Sequence, residues 1–327
     1  MTYAFDADLL PWIPRLPAVD YTDLPKARLL LAEAAANAVS YEPVNPVEIA
    51  DRIVPGRPDI PVRIYRPTGL IEATPALLYL HGGGFMLGDL DLVHPAALRF
   101  ADRAGVQVIT VGYRLAPEHP FPAALQDSYA VLAWTARHAK KLDIVPDRIG
   151  IGGESAGGGL AAATALLARS RGGPGLCFQC LAFPELDDRL DTVSARTFVD
   201  TPKWNRPSAE VSWQNYLGST AEPGSKEVSP FAAPARAADL SGLPPAFISV
   251  CEFDPLRDEN LTYAHRLIKA GVHTELCYYP GTFHACHTIS AAVSRRMVAD
   301  QLAAVRRGLN CRSPRLPQEK NRKAKHA

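Results

Sequence analysis

Gly153-Glu154-Ser155-Ala156-Gly157 narrows what this chain can fold into more than any other stretch. Before it runs Asp147 to Gly152, a short segment able to extend, and after it an alanine- and leucine-rich helix through Arg169. A serine at a tight strand-to-helix turn needs small neighbours, because the backbone bends sharply and closes on adjacent elements. Gly153, Ala156 and Gly157 meet that demand. Such a turn sets the Ser155 hydroxyl at the carboxyl end of a sheet. It also places the free N–H groups of the next helix, Ala156 first, beside any oxyanion that forms there. The pentapeptide alone recurs by chance, and the flanking strand and helix make it a nucleophile elbow.

Two further stretches fit the same chemistry. The apolar run Pro75 to Leu80 reads as a buried strand and ends in His81-Gly82-Gly83-Gly84-Phe85. Three glycines remove every Cβ, so their N–H groups can turn toward an anion. A phosphate loop would need Lys-Ser/Thr next, whereas Phe85-Met86-Leu87 follow, so Gly82, Gly83 and Gly84 read as an oxyanion loop. The strand Ala246 to Cys251 leads into Glu252-Phe253-Asp254, and Asp254 is the choice for an orienting acid, with Glu252 and Asp258 as fallbacks and a helix cap as its structural role. Pro255 suits the first turn of the next helix. The last strand, Thr274 to Tyr279, precedes His284, which completes the order Ser…Asp…His, with His287 as runner-up.

The remaining strands read as an extended segment from Asp59 to Pro67, Val106 to Val111, and Leu176 to Phe183. Cys177 and Cys180 form a lone CxxC inside that last run, which favours buried thiols over a metal or redox pair. Between Tyr113 and Pro122 three prolines exclude a regular helix, and Arg114 and Glu118 are expected to pair and fix the turn. His119 reads as a surface group there. Helices are expected from Pro25 to about Ala38, with Asp23 near its cap, from Ala123 to Leu142, and from Thr288 to Leu309. From Leu190 to about Ser225 regularity fades. The aromatics Phe198, Trp204, Trp213 and Tyr216 there suggest an insertion that docks on the body and acts as a lid.

At 327 residues, 47% hydrophobic and 21% charged, the chain is an ordinary globular one, and its net charge of +1 gives no reason to invoke nucleic acid. Residues 311–327 are basic and almost without apolar side chains, which reads as a solvated, disordered tail. No secretory signal or membrane span is visible, and six scattered cysteines favour reduced thiols in the cytoplasm.

Ser155 needs a base within hydrogen-bond reach, His284 would supply it, and Asp254 would hold the imidazole, giving acyl transfer to water without metal or cofactor. The motifs His81-Gly82-Gly83-Gly84-Phe85, Tyr113-Arg114-Leu115-Ala116-Pro117-Glu118, Gly153 to Gly158, Asp254-Pro255-Leu256-Arg257-Asp258-Glu259 and His284 stand in one order. On them the chain resembles the hormone-sensitive-lipase-like esterases of the α/β-hydrolase superfamily. The resemblance implies an α/β fold with a mostly parallel eight-stranded sheet flanked by helices. Its expected divisions are an N-terminal cap segment at 1–50, a core at 51–184 and 226–310, and a cap insertion at 185–225. It points to Gly83 and Gly84 as donors, with Gly82 beside them, and to short- to medium-chain carboxylic esters as small-molecule substrates. It also implies dimerisation through the edge strand near Cys277. Phe85, Trp204, Trp213 and Tyr216 are the candidate pocket residues. Glu154, Asn260 and Ala285-Cys286 depart from the family pattern. Amidase, deacetylase or lactonase action at the same site, or non-catalytic ligand binding on the same fold, are the alternatives.

Overall fold

The computed structural model describes residues 3–36, 41–69 and 72–309. The basic tail expected at 311–327 lies outside them. One eight-stranded sheet carries the chain, ordered β1-β2-β4-β3-β5-β6-β7-β8. The strands are β1 (Val47–Val54), β2 (Ile60–Pro67), β3 (Thr74–Leu80), β4 (Gln107–Val111), β5 (Ile144–Glu154), β6 (Phe178–Ala182), β7 (Ala246–Phe253) and β8 (Thr274–Phe283). The pairs β1–β2 and β2–β4 are antiparallel, and every later pair is parallel.

Every residue of β3, β4 and β6 is buried, as parallel strands covered on both faces require. Alternate residues face opposite ways. Leu78 and Ile151 pack with α3 (Ala123–His138), α4 (Ala156–Ser170) and α7 (Arg257–Lys269), through Leu132, Leu160 and Leu267. Leu77, Tyr79 and Val108 pack on the other face with α2 (His94–Ala104) and α8 (Ala292–Gly308), through Phe100 and Val305. The edge strand β1 leaves Ile49 and Ile53 exposed, so it carries little of the burial pattern that marks the central strands in sequence.

The region from Leu190 is more regular than its sequence suggests. It holds α5 (Val193–Thr197), capped by Thr192, and α6 (Arg206–Leu217), capped by Asn205, whose side chain accepts the Ser208 N–H at 3.2 Å. The buried face of α6 mixes Ser208 and Ser212 with Trp213 and Tyr216, which blurs a hydrophobic stripe. Near the N-terminus, α1 (Leu24–Ala36) starts where Asp23 accepts the Lys26 N–H. Ala27 of α1 packs against Met86, Leu87 and Ala116.

Arg114 and Glu118 do not pair. Arg114 grips Asp127 of α3, Nη2 to Oδ1 at 2.7 Å, while Glu118 pairs with Arg28 of α1 at 2.7 Å. The proline-rich turn sends the two side chains to different elements. Helix α7 begins at Arg257, two residues past Pro255, because Asp254 Oδ1 accepts the Leu256 N–H at 2.9 Å and the helix winds only after that turn. Helix α8 begins at Ala292, after a short 3-10 turn at Cys286–Thr288 that takes up the expected start. Among the described residues no helix is long and apolar enough to cross a membrane.

A tight backbone approach lies where α4 meets the end of β3. A Cβ at Gly157 would stand 2.2 Å from the Leu80 carbonyl oxygen and 2.3 Å from that of His81. Both obstacles are main chain and cannot swing aside. Gly157→Ala is therefore expected to cost about 1–3 kcal/mol or to block folding, read as a lowered urea midpoint, and an unchanged midpoint would contradict this packing.

Candidate active site

Strand β5 ends at Glu154, Ser155 makes the turn, and α4 begins at Ala156. Ser155 sits at φ 55° and ψ −125°, a conformation costly for a side-chain-bearing residue. The surroundings hold it there: its N–H donates to the Ala182 carbonyl at 2.9 Å, and its carbonyl accepts the N–H groups of Gly159 and Glu185, each at 3.0 Å.

Strands β7 and β8 are parallel neighbours, so their carboxyl ends bring Asp254 and His284 side by side. His284 Nδ1 lies 2.6 Å from Asp254 Oδ2, and its Nε2 lies 2.9 Å from Ser155 Oγ. All three side chains are buried. Since Asp254 Oδ1 caps the turn before α7, its carboxylate serves the helix start and the imidazole together. Of the other candidates, Glu252 accepts the Gly281 N–H at 2.6 Å, and Asp258 accepts the Ser194 N–H at 2.7 Å and pairs with Arg257. His287 meets Glu154, Nε2 to Oε2 at 2.9 Å. Glu154 therefore faces an imidazole rather than the backbone. Burial pushes its carboxyl up, but the charge and hydrogen bond of His287, joined by the charges of Lys203 and His284, outweigh that and hold it below the usual value. His119 is exposed.

The glycine run lies against the elbow. A Cβ at Gly82 would stand 3.4 Å from the Ser155 Cβ. Gly83 and Gly84 adopt φ of +117° and +57°, and side chains there would strike the Leu87 carbonyl and the Trp204 ring. Two histidine contacts fix the run: His81 Nδ1 lies 2.8 Å from the Gly82 carbonyl, and its ring stacks on Tyr113 at 4.0 Å. The Tyr113 hydroxyl donates to the His81 carbonyl at 2.8 Å, so Nδ1–H is the donor to Gly82. From outside, Arg28 donates to the Met86 and Ala116 carbonyls at 3.0 and 3.1 Å.

The four aromatic candidates gather here and are buried. Phe85 stacks on Tyr216 at 3.8 Å, Trp213 lies 5.5 Å from Phe85, and Trp204 lies 5.8 Å from the His284 ring. Sequence reasoning passed over Glu185, wholly buried beside the elbow, and Ser212, whose hydroxyl donates to the Gly84 carbonyl at 3.1 Å. Glu185 follows Pro184 at the end of a buried strand, and an acid in so apolar a setting was the available signal. Cys177 and Cys180 are thiols that burial pushes up to about 11 and about 12.

Comparison with known proteins comes to the same architecture. A family model described as alpha/beta hydrolase fold matches residues 77–288. Carboxylesterase NlhH of Mycobacterium tuberculosis is 40% identical over 268 residues, which are 78% of this chain and 80% of that protein. Ethyl acetate hydrolase of Pseudomonas putida is 35% identical over 228 residues, 69% of this chain and 70% of its own. Among solved structures, one titled bacterial heroin esterase superposes with a TM-score of 0.89 at 45% identity, over 94% of this chain and 98% of the other.

Burial lowers the pKa of His81 to about 4, so its ring is neutral in the folded protein at neutral pH. The unfolded chain takes up that proton near pH 6.5 and the folded one does not. Stability is therefore unaffected by His81 above that pH and falls as pH drops from 6.5 toward 4. Urea unfolding across this range is expected to show the loss, and His81→Asn is expected to flatten that part of the curve. A slope identical in the variant would remove His81 as its source.

Proposed function

Because this chain belongs to the alpha/beta hydrolase fold family and is a serine carboxylesterase, we propose that Ser155, His284 and Asp254 carry its chemistry as nucleophile, base and orienting acid. The observation that carries the reading is the hydrogen-bonded row Asp254–His284–Ser155, with steps of 2.6 and 2.9 Å. Ser155 Oγ attacks the ester carbonyl while His284 Nε2 takes its proton. Asp254 keeps the Nδ1–H tautomer and stabilises the imidazolium. The oxyanion receives N–H groups from Gly83 and Gly84, with Gly82 beside them, and from Ala156, whose place at the first turn of α4 leaves its N–H without an intrahelical acceptor. His284 returns the proton to the leaving alcohol, and water then cleaves the acyl-enzyme by the same steps in reverse.

Short- to medium-chain esters are the substrates this reading assigns. The enclosing aromatics Phe85, Trp213 and Tyr216 support a limited acyl space, as does a relative named for ethyl acetate. Residues 1–50 and 185–225 act as the cap in this reading. Its supports are Tyr21 donating to the Lys203 carbonyl at 3.0 Å and Ser212 donating to Gly84. Leu276 and Tyr278 on the edge strand β8 are each 39% exposed, which supports a dimer formed there. The scattered cysteines support a reducing, cytoplasmic setting.

Hydrolysis of p-nitrophenyl esters from acetate to palmitate tests the assignment. The short chains are expected to react, and Ser155→Ala is expected to lower kcat by about ten-thousandfold or more with its fold intact. A folded Ser155→Ala that keeps wild-type turnover would overturn the mechanism.

A further inference from the structure

Four polar groups beside the glycine run are buried without a hydrogen-bond partner of good geometry among the described residues: the Glu185 carboxyl, the Tyr216 hydroxyl and the indole N–H groups of Trp204 and Trp213. Each such group left unsatisfied costs about 1–3 kcal/mol, so a cluster of them in one place calls for a ligand. The cluster adjoins the reacting serine. The Glu185 N–H donates to the Ser155 carbonyl, and a Cβ at Gly159 would lie 2.1 Å from the Glu185 carbonyl oxygen. Ser212, whose hydroxyl lies beside the Glu185 carboxyl, sends its proton to the Gly84 carbonyl at 3.1 Å. With that proton committed, its oxygen faces Glu185 as an acceptor.

The two sides of the ester follow from the proposed mechanism, on which this inference rests. His284 must protonate the leaving oxygen, so the alcohol lies toward His284. Glu185, Trp213 and Tyr216 gather instead around the glycine run and the start of α4, the side left for the acyl group. We propose that Glu185, with the Tyr216 hydroxyl and the Trp213 N–H, forms a polar acyl subsite. It selects esters whose acyl chain carries a hydroxyl or oxo oxygen over plain alkanoyl esters of equal length.

The donor count sets the ligand chemistry. Burial pushes the Glu185 carboxyl up to about 8; Ser212 opposes the shift and Asp254 adds to it. At neutral pH it is then an uncharged acid that both donates and accepts. Tyr216 and Trp213 add donors at the ring edges, which oppose a cation and suit an oxygen acceptor. A hydroxyl or oxo group on the acyl chain matches that set of donors and acceptors.

The test compares p-nitrophenyl 3-hydroxybutyrate with p-nitrophenyl butyrate, each kcat/KM divided by the ester's own hydroxide-catalysed rate to remove intrinsic reactivity. Wild type is expected to favour the hydroxy ester by about tenfold or more, and Glu185→Leu to lose about that factor. Glu185→Gln, which still donates and accepts, is expected to keep most of it. If Glu185→Leu does not fold, Tyr216→Phe supplies the same readout with a smaller loss. A wild type without the preference, or a preference unchanged in the folded variants, overturns the subsite. Butyrate hydrolysis that depends on Ser155 keeps the underlying mechanism standing in either case, whereas wild-type inactivity on both esters would count against that mechanism instead.

Discussion

At Gly157 the first turn of α4 runs directly against the carbonyls that end β3. That contact sets the height of the elbow relative to the glycine run, because His81 to Gly84 continue from the same carbonyls. A nucleophile and an oxyanion loop on separate elements must keep their spacing to a fraction of an ångström. Here the spacing is set by main chain packed on main chain, which no rotamer change can relieve. Ser155 can hold an unfavourable conformation because its N–H and carbonyl are both bound to neighbours that the sheet has already placed.

The central strands and the order of the motifs were legible because their signals are local. Runs such as Pro75 to Leu80 are apolar on both faces, and the glycine run, the elbow, Asp254 and His284 each stand at a strand end. Elements whose burial depends on distant partners were harder to read. β1 shows half-exposed isoleucines, and the inward face of α6 carries serines because one of them bonds to the Gly84 carbonyl. Arg114 and Glu118 stand four residues apart and invite a pairing rule that holds only on a helix; Pro117 between them breaks that geometry. The partners of Glu185 and the meeting of Glu154 with His287 were harder to see for a similar reason, since no local pattern says what a buried acid will face.

Two kinds of electrostatics hold the site. On the outside, ion pairs such as Arg28 with Glu118 cross between elements, and Arg28 adds neutral carbonyls to its reach. Inside, His81 and Glu185 shed their charge rather than find a counter-ion. The Glu154 carboxylate beside the elbow is answered by His287, and the uncharged His81 and Glu185 add no further charge to compete with Asp254 and the N–H donors at Ser155.

The three groups of the row stand far apart along the chain, and the imidazole arrives just past the last strand. During synthesis the elbow, β3 and β6 emerge well before β8. On the proposed mechanism, a partly made chain would bear a bent serine with nothing to take its proton. On that mechanism turnover would begin only when the end of the sheet docks, late in folding.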